Sequence, residues 1–176
     1  MTSTPAVRLV ELDPAAISAL AAGDLAAANR TAPVALTQFF VAPESGSLWR
    51  MRSRQLADDP ASAGWITRVI VDESSGAVVG RAGYHGPPDA AGMVELGYAV
   101  DPAHRRRGYA RAALVDLLAR AAREPAVRTV RATITPANLA SRSLVLQYGF
   151  VEVGEQWDDE DGLEIIYEVD AATALP

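Results

Sequence analysis

The sequence contains no cysteine and no lysine. Without cysteine there are no disulfides, no thiol nucleophile and no thiolate metal ligand, and nothing suggests export. Without lysine, all 16 basic residues are arginine. Together with the many alanines, that bias points to a high-GC bacterial genome rather than to a function. No run approaches the roughly 20 apolar residues of a membrane span. The N-terminus also lacks the charged-then-apolar layout of a signal peptide. The cytoplasm is therefore the expected location, with no membrane partner. A formal charge of −6 argues against non-specific nucleic-acid binding. The two histidines and the carboxylates show no metal-ligand spacing, so no metal site is expected.

The 176 residues are the size of one domain, expected to span 1–176, and can bury a substantial core. Residues 8–12 alternate as a short strand. Asp13 then stands as a plausible N-cap, with Pro14 at the first helical position of an Ala-rich helix over 15–22. A second helix is expected over 48–56, while 24–46 carries no clear pattern. Strands follow at 65–71, 77–85 and 93–100, a helix at 109–123, a strand at 128–135 and a short helix after Asn138. A hairpin of 150–157 and 163–169 closes the order, with a frayed tail at 171–176. Leu114, Leu117, Leu118 and Ala121 form one apolar helical stripe. This order gives an α/β fold of three layers, a mixed, mostly antiparallel central sheet flanked by helices.

The most informative stretch is 94–110, VELGYAVDPAHRRRGYA. A buried strand runs through a Pro-containing turn and three consecutive arginines into Gly108, Tyr109 and Ala110, where a helix opens. The first N–H groups of a helix lack intrahelical partners, and the helix dipole adds positive charge there. A phosphate or pyrophosphate is the natural ligand of such a spot. Gly108 removes a side chain where that ligand would approach, and Ala110 keeps the next position small.

Arg105, Arg106, Arg107, Gly108, Tyr109 and Ala110 match the Arg/Gln-x-x-Gly-x-Gly/Ala signature of the GCN5-related N-acetyltransferase (GNAT) superfamily. Asn138-Leu-Ala-Ser141, leading to Gly149-Phe150, resembles a second segment of that family, one strand and one helix further on. The resemblance is good over 80–169. It implies that the 105–110 loop cradles the pyrophosphate of acetyl-CoA, the expected co-substrate. It also implies that main-chain groups of Ala99 and Val100 meet the pantetheine arm, with Asn138 and Ser141 contacting the donor as well; an Asn opening a helix is also a good N-cap, and Asn138 can be both. Glu95, in Glu-Leu-Gly-Tyr, resembles the strand of the branch that acetylates ribosomal-protein alanine N-termini, where the carboxylate binds or deprotonates the amine. Ser141 is the candidate proton donor to the leaving thiolate. Many members carry a Tyr four residues before the helix-ending Gly; here that position is Val145.

His85 is a second candidate base, because imidazole titrates in the right range. His104 reads as solvated or near phosphate. The acidic run Asp158-Asp159-Glu160-Asp161 is either a solvated turn or an attractor of a protonated amine. Trp49, Trp65 and Trp157 either line an acceptor pocket or pack, Trp65 most plainly in the core. The resemblance implies direct acetyl transfer to a primary amine, a small molecule or a peptide N-terminus, in a ternary complex, with a homodimer as one assembly. Two alternatives stand beside it: a non-catalytic CoA-binding sensor or interaction module, and a transferase of another acyl group such as succinyl, which an extra cation near the acyl pocket would favour.

Overall fold

The computed structural model describes residues 4–174. Seven strands and five α-helices follow in the order β1 (Val7–Val10), α1 (Pro14–Ala21), α2 (Leu25–Thr31), α3 (Gly46–Asp58), β2 (Arg68–Asp72), β3 (Val78–Tyr84), β4 (Met93–Val100), α4 (Tyr109–Arg123), β5 (Thr129–Ile134), α5 (Leu139–Leu146), β6 (Val151–Asp158) and β7 (Gly162–Asp170). The sheet order is β1-β2-β3-β4-β5-β7-β6. Pairings β1·β2, β2·β3, β5·β7 and β6·β7 are antiparallel, and β4·β5 is parallel. This is the mixed, helix-flanked α/β fold that the sequence implies. The chain divides into two units, one comprising the residues up to Gly83 with Tyr98–Ala113, the other Tyr84–Gly97 with the residues from Leu114 onward.

In the first unit, α1 begins where the sequence says it should. Asp13 accepts the N–H of Ala16 at 2.7 Å, and Pro14 occupies the first helical position. Asp24 caps α2 in the same way, through Ala27 N–H at 2.8 Å. That helix lacks an apolar stripe, Ala28 being its one buried residue. Trp49 on α3 is wholly buried, stacked on Phe40 at 6.0 Å between ring centroids, and its Nε1 donates to the Phe40 carbonyl at 2.8 Å. It therefore belongs to the core and lines no acceptor pocket. Trp65 is half-buried rather than a core residue. Gly83 is fixed by contact, since a Cβ there would lie 2.6 Å from the Ile66 carbonyl oxygen.

In the second unit, the stripe of α4 is the core. Leu114, Leu117, Leu118 and Ala121 are at most 1% exposed, and Val130, Ala132, Tyr167 and Val169 are buried with them. Tyr84, also buried, donates its hydroxyl to the Leu117 carbonyl at 2.6 Å, while Arg120 stands 5.6 Å over its ring. On α5, Arg142 Nε donates to the Tyr167 hydroxyl at 2.9 Å. The tail is not frayed over the described residues. Ala171 N–H donates to the Arg128 carbonyl at 2.9 Å, and Ala171 and Ala174 are 3% and 1% exposed. Small side chains let this segment close over the sheet's end; residues 175–176 lie outside the described part.

The Tyr84 hydroxyl gives a direct stability test. Tyr84→Phe keeps the buried ring and deletes one hydrogen bond, while the Leu117 carbonyl keeps its place in the helical ladder. The expected cost is about 1 kcal/mol, a fall in Tm of roughly 2–4 °C for a chain of this size, read by thermal or denaturant unfolding.

Candidate functional site

Within the first unit, the segment from β4 to α4 is built by short-range capping. Asp101 accepts the N–H of Ala103 at 2.9 Å and starts a single 3-10 turn over Pro102–His104. Arg106 and Gly108 then take positive φ, 62° and 87°. Such alternation turns successive N–H groups towards one side, the geometry that receives an anion. The first bond into α4 runs from Ala112 N–H to the Gly108 carbonyl at 3.0 Å, so the N–H groups of the preceding turn have no acceptor within the helix. Arg105, Arg106 and Arg107 are exposed around them.

Three details add to what the sequence implies. Gly108 is needed for its backbone and for Pro5: a Cβ would lie 2.9 Å from Pro5 Cδ, so the vacant side-chain direction is filled by the chain itself. Arg105 Nε donates to the Val100 carbonyl at 3.2 Å, so that carbonyl is already engaged, while the Ala99 carbonyl is packed against Gly80. Tyr109 is buried; its hydroxyl donates to Asp72 Oδ2 at 3.2 Å, and only its main chain belongs to the loop surface.

Asp72, the last residue of β2, holds this segment at its first helical residue. Its carboxylate accepts from the Ser74 N–H and hydroxyl, from the Ser75 hydroxyl at 2.7 Å and from Tyr109, so it ties the β2–β3 turn to the first residue of α4. The Ser75 hydroxyl first, then the other donors, hold its carboxyl below the ordinary 3.8. Burial first, then Asp72 itself, pushes the Tyr109 phenol above 10.0, so it stays a donor. His104 packs edge-on to Tyr109 at 6.4 Å and its Nδ1 is buried, so the ring is not solvated as a whole.

Within the second unit, Glu95 is at the last position where β4 pairs with β5, opposite Arg131. Beyond it β5 continues through Ala132, Thr133 and Ile134, paired with β7. Thr133 donates its hydroxyl to Glu95 Oε1 at 2.6 Å, and His85 Nδ1 lies 3.5 Å from the same oxygen. The carboxylate is 19% exposed and the imidazole 49%. Gly97 makes room for that ring, its missing Cβ pointing at His85 Nε2 at 3.2 Å. The two candidate bases are therefore one group, a fixed carboxylate with an imidazole against it. Thr133 had no signal in the sequence, since it acts across 38 positions.

Asn138 caps α5, accepting the Ser141 N–H at 3.2 Å. The Ser141 side chain is half-buried and its hydroxyl has no hydrogen bond among the described residues. Val145 is wholly buried, whereas Tyr148 is half-buried one residue before Gly149. Asp158 accepts the N–H groups of Glu160 and Asp161 at 2.8 and 2.9 Å, bonds that lower its carboxyl pKa, Asp161 first. Turn formation thus accounts for Asp158; Asp159, Glu160 and Asp161 are exposed. Trp157 is 75% exposed on β6. Among the described residues, no cluster of His, Asp and Glu could hold a metal, and no helix is long and apolar enough to cross a membrane.

Comparison with known proteins places these features in a common frame. A family model described as an acetyltransferase (GNAT) domain matches residues 9–151. An uncharacterized N-acetyltransferase, YjdG, of Bacillus subtilis (strain 168) is 31% identical over 96 residues, 54% of this chain and 57% of that protein. The L-2,4-diaminobutyric acid acetyltransferase of Streptomyces anulatus is 31% identical over 115 residues, 60% of this chain and 65% of that protein. The match thus spans less than two thirds of either relative. Among solved structures, Mycobacterium smegmatis RimJ in complex with CoA-disulfide shares the fold with a TM-score of 0.62 at 22% identity, over 94% of this chain and 82% of that one.

The Asp72 clamp predicts a pH signature. A depressed carboxyl pKa contributes stability that is present above 3.8 and lost as pH falls through the lower folded value. Asp72→Asn should therefore melt below the parent at pH 6, and the gap should close as pH drops towards 3. A gap constant over that range would exclude an ionised Asp72 as the source of the stability.

Proposed function

The chain belongs to the GNAT acetyltransferase family, and on that premise we propose that it is an acetyl-CoA-dependent N-acetyltransferase that moves the acetyl group to a primary amine by direct transfer in a ternary complex. The observation that carries the reading is the 105–110 loop, with Arg106 and Gly108 left-handed immediately before the N-terminus of α4. Backbone N–H groups and the helix dipole supply the pyrophosphate site. Exposed Arg106 and Arg107 supply charge. The family match runs through both compact units, which supports treating residues 1–176 as one functional domain.

The chemistry then falls to few residues. A protonated amine must lose a proton before its nitrogen can attack the thioester carbonyl. Glu95, held by Thr133 and backed by His85, takes that proton directly or through water. As the nitrogen–carbon bond forms, the carbon–sulfur bond breaks and the thiolate leaves. Ser141, whose hydroxyl is uncommitted among the described residues, is the candidate to protonate it, regaining its own proton from the second one that the nitrogen sheds as the amide forms. A thiolate needs little help, and the buried Val145 offers none. With no cysteine in the chain, no acetyl-thiol enzyme forms. The relative that acetylates diaminobutyric acid supports a small amine acceptor; the RimJ likeness supports the fold alone. The absence of cysteine supports a cytoplasmic setting. Exposed Val151, Val153 and Trp157 on the edge strand β6 support a second copy of the chain as a partner.

Thiol release with acetyl-CoA and a panel of amines tests the reading. Glu95→Gln should lower kcat by about 100-fold, the usual size of a general-base contribution, with the KM for acetyl-CoA changed less than about threefold. Turnover of no amine by the parent protein, despite CoA binding, would make it a sensor instead. Gly108→Val should act on the other substrate, raising the KM for acetyl-CoA at least about tenfold, because positive φ and Pro5 both reject a branched side chain.

A further inference from the structure

Glu164, on β7, is a carboxylate that this chemistry does not use, and it is only 8% exposed. Its Oε2 accepts one hydrogen bond, from Gln156 Nε2 on β6 at 3.0 Å. Its Oε1 has no hydrogen bond among the described residues, yet that atom is not sealed from the surface. No cation among the described residues comes within ion-pair distance of it. Taking an anion out of water for one neutral amide is costly. Glutamine here would keep the shape and the bond to Gln156 without that penalty. The charge has no answer among the described residues.

Strand register places this carboxylate beside the proposed base, within the same unit. Tyr167 and Val169 are buried with the α4 stripe, so Glu164, Ile166 and Glu168 point to the other side of the sheet. Thr133 on β5 is the partner of Ile166 and shares that face. Glu95 shares it too, since Thr133 donates to its carboxylate at 2.6 Å. Glu164 is thus a diagonal neighbour of Thr133, roughly 7–8 Å away between Cα atoms. Arg131, a cation on this face, stands opposite Glu168, on the far side of Ile166 from Glu164. Its Nε and Nη2 are both bonded to Glu168 Oε1, at 2.9 and 2.6 Å. One small molecule lying on this face can therefore reach both Glu95 and Glu164.

We infer that Glu164 recognises a second ammonium group on the acceptor, a few carbons from the amine that Glu95 deprotonates. The inference rests on the acyl-transfer reading and narrows its acceptor class to diamines. The second ammonium has two sources, a free diamine or a diamino acid, and two pairs of amines separate them. Putrescine differs from n-butylamine by one terminal ammonium. L-Ornithine differs from L-norvaline by the same group, beside a carboxylate.

With acetyl-CoA as donor, the diamine of at least one pair should show a kcat/KM at least about tenfold above its partner, the size of one charged hydrogen bond. That advantage should lie in KM, because the distal group is held alike before and during transfer. Glu164→Gln should abolish it. Advantage with putrescine alone assigns the ammonium to a free diamine, and with ornithine alone to a diamino acid. Advantage in both pairs shows that the ammonium is read and the carboxylate is not. Equal rates within both pairs, or an equal loss for both members in Glu164→Gln, overturns the inference while leaving an acetyltransferase in place. Should Glu164→Gln not fold, Glu164→Asp keeps the charge but withdraws it by one methylene. The preferred diamine should then lengthen by one carbon, from putrescine to cadaverine or from ornithine to lysine; an unchanged order overturns the inference. If no amine turns over, thermal shifts of the parent read the same two pairs, and no difference within either overturns the inference. Absence of any shift with acetyl-CoA overturns the acyl-transfer reading with it.

Discussion

A helix N-terminus receives an anion only where its N–H groups converge, and in this chain that point is fixed by the hydrogen bond from Tyr109 to Asp72. Tyr109 is the first residue of α4, and the loop before it contains two left-handed residues, one of them an arginine. A non-glycine residue at positive φ is held there by its surroundings. The surroundings here are the buried tyrosine, the Asp101-capped turn and Pro5 against Gly108. Asp72 can serve because three donors besides Tyr109 share its charge, two hydroxyls and an N–H. Their hydrogen bonds favour the ionised form, which in turn keeps Tyr109 a donor.

The same logic of fixed groups holds in the second unit. Glu95 is not merely a carboxylate on a strand. Thr133 holds one of its oxygens and the imidazole of His85 stands against it, at the position where β4 and β5 cease to pair. Gly97, next but one along the strand, leaves space for that imidazole. Gly80 and Gly83 do the same for the carbonyls of Ala99 and Ile66 in the first unit.

Local signals in the sequence were strong where one residue answers to its near neighbours. Met93–Val100 and Tyr109–Arg123 are where their patterns put them, and Asp13 caps α1 as its spacing implies. Boundaries slipped where tertiary packing decides. The first strand stops at Val10 because Leu12 turns into the core instead of pairing. No periodicity marks the helix over Leu25–Thr31, because its run of alanines has no distinct apolar face, although its Asp24 cap follows the same rule as Asp13. Trp49 shows the limit of residue type, since an aromatic suited to a pocket packs equally well in the core.

What could not be read at all are the long-range partners. Asp72 and Tyr109 are 37 positions apart, and Glu95 and Thr133 are 38. Neither pair follows from periodicity, capping or motif. The loop motif predicts an anion site; the Tyr109–Asp72 contact shows how the loop itself is held. Calorimetric titration with acetyl-CoA and with S-acetylpantetheine, which lacks the pyrophosphate, tests that site most directly. The account predicts that acetyl-CoA binds at least about 100-fold more tightly, roughly 2.7 kcal/mol. Equal binding of the two, or no binding of acetyl-CoA at millimolar concentration, would contradict it.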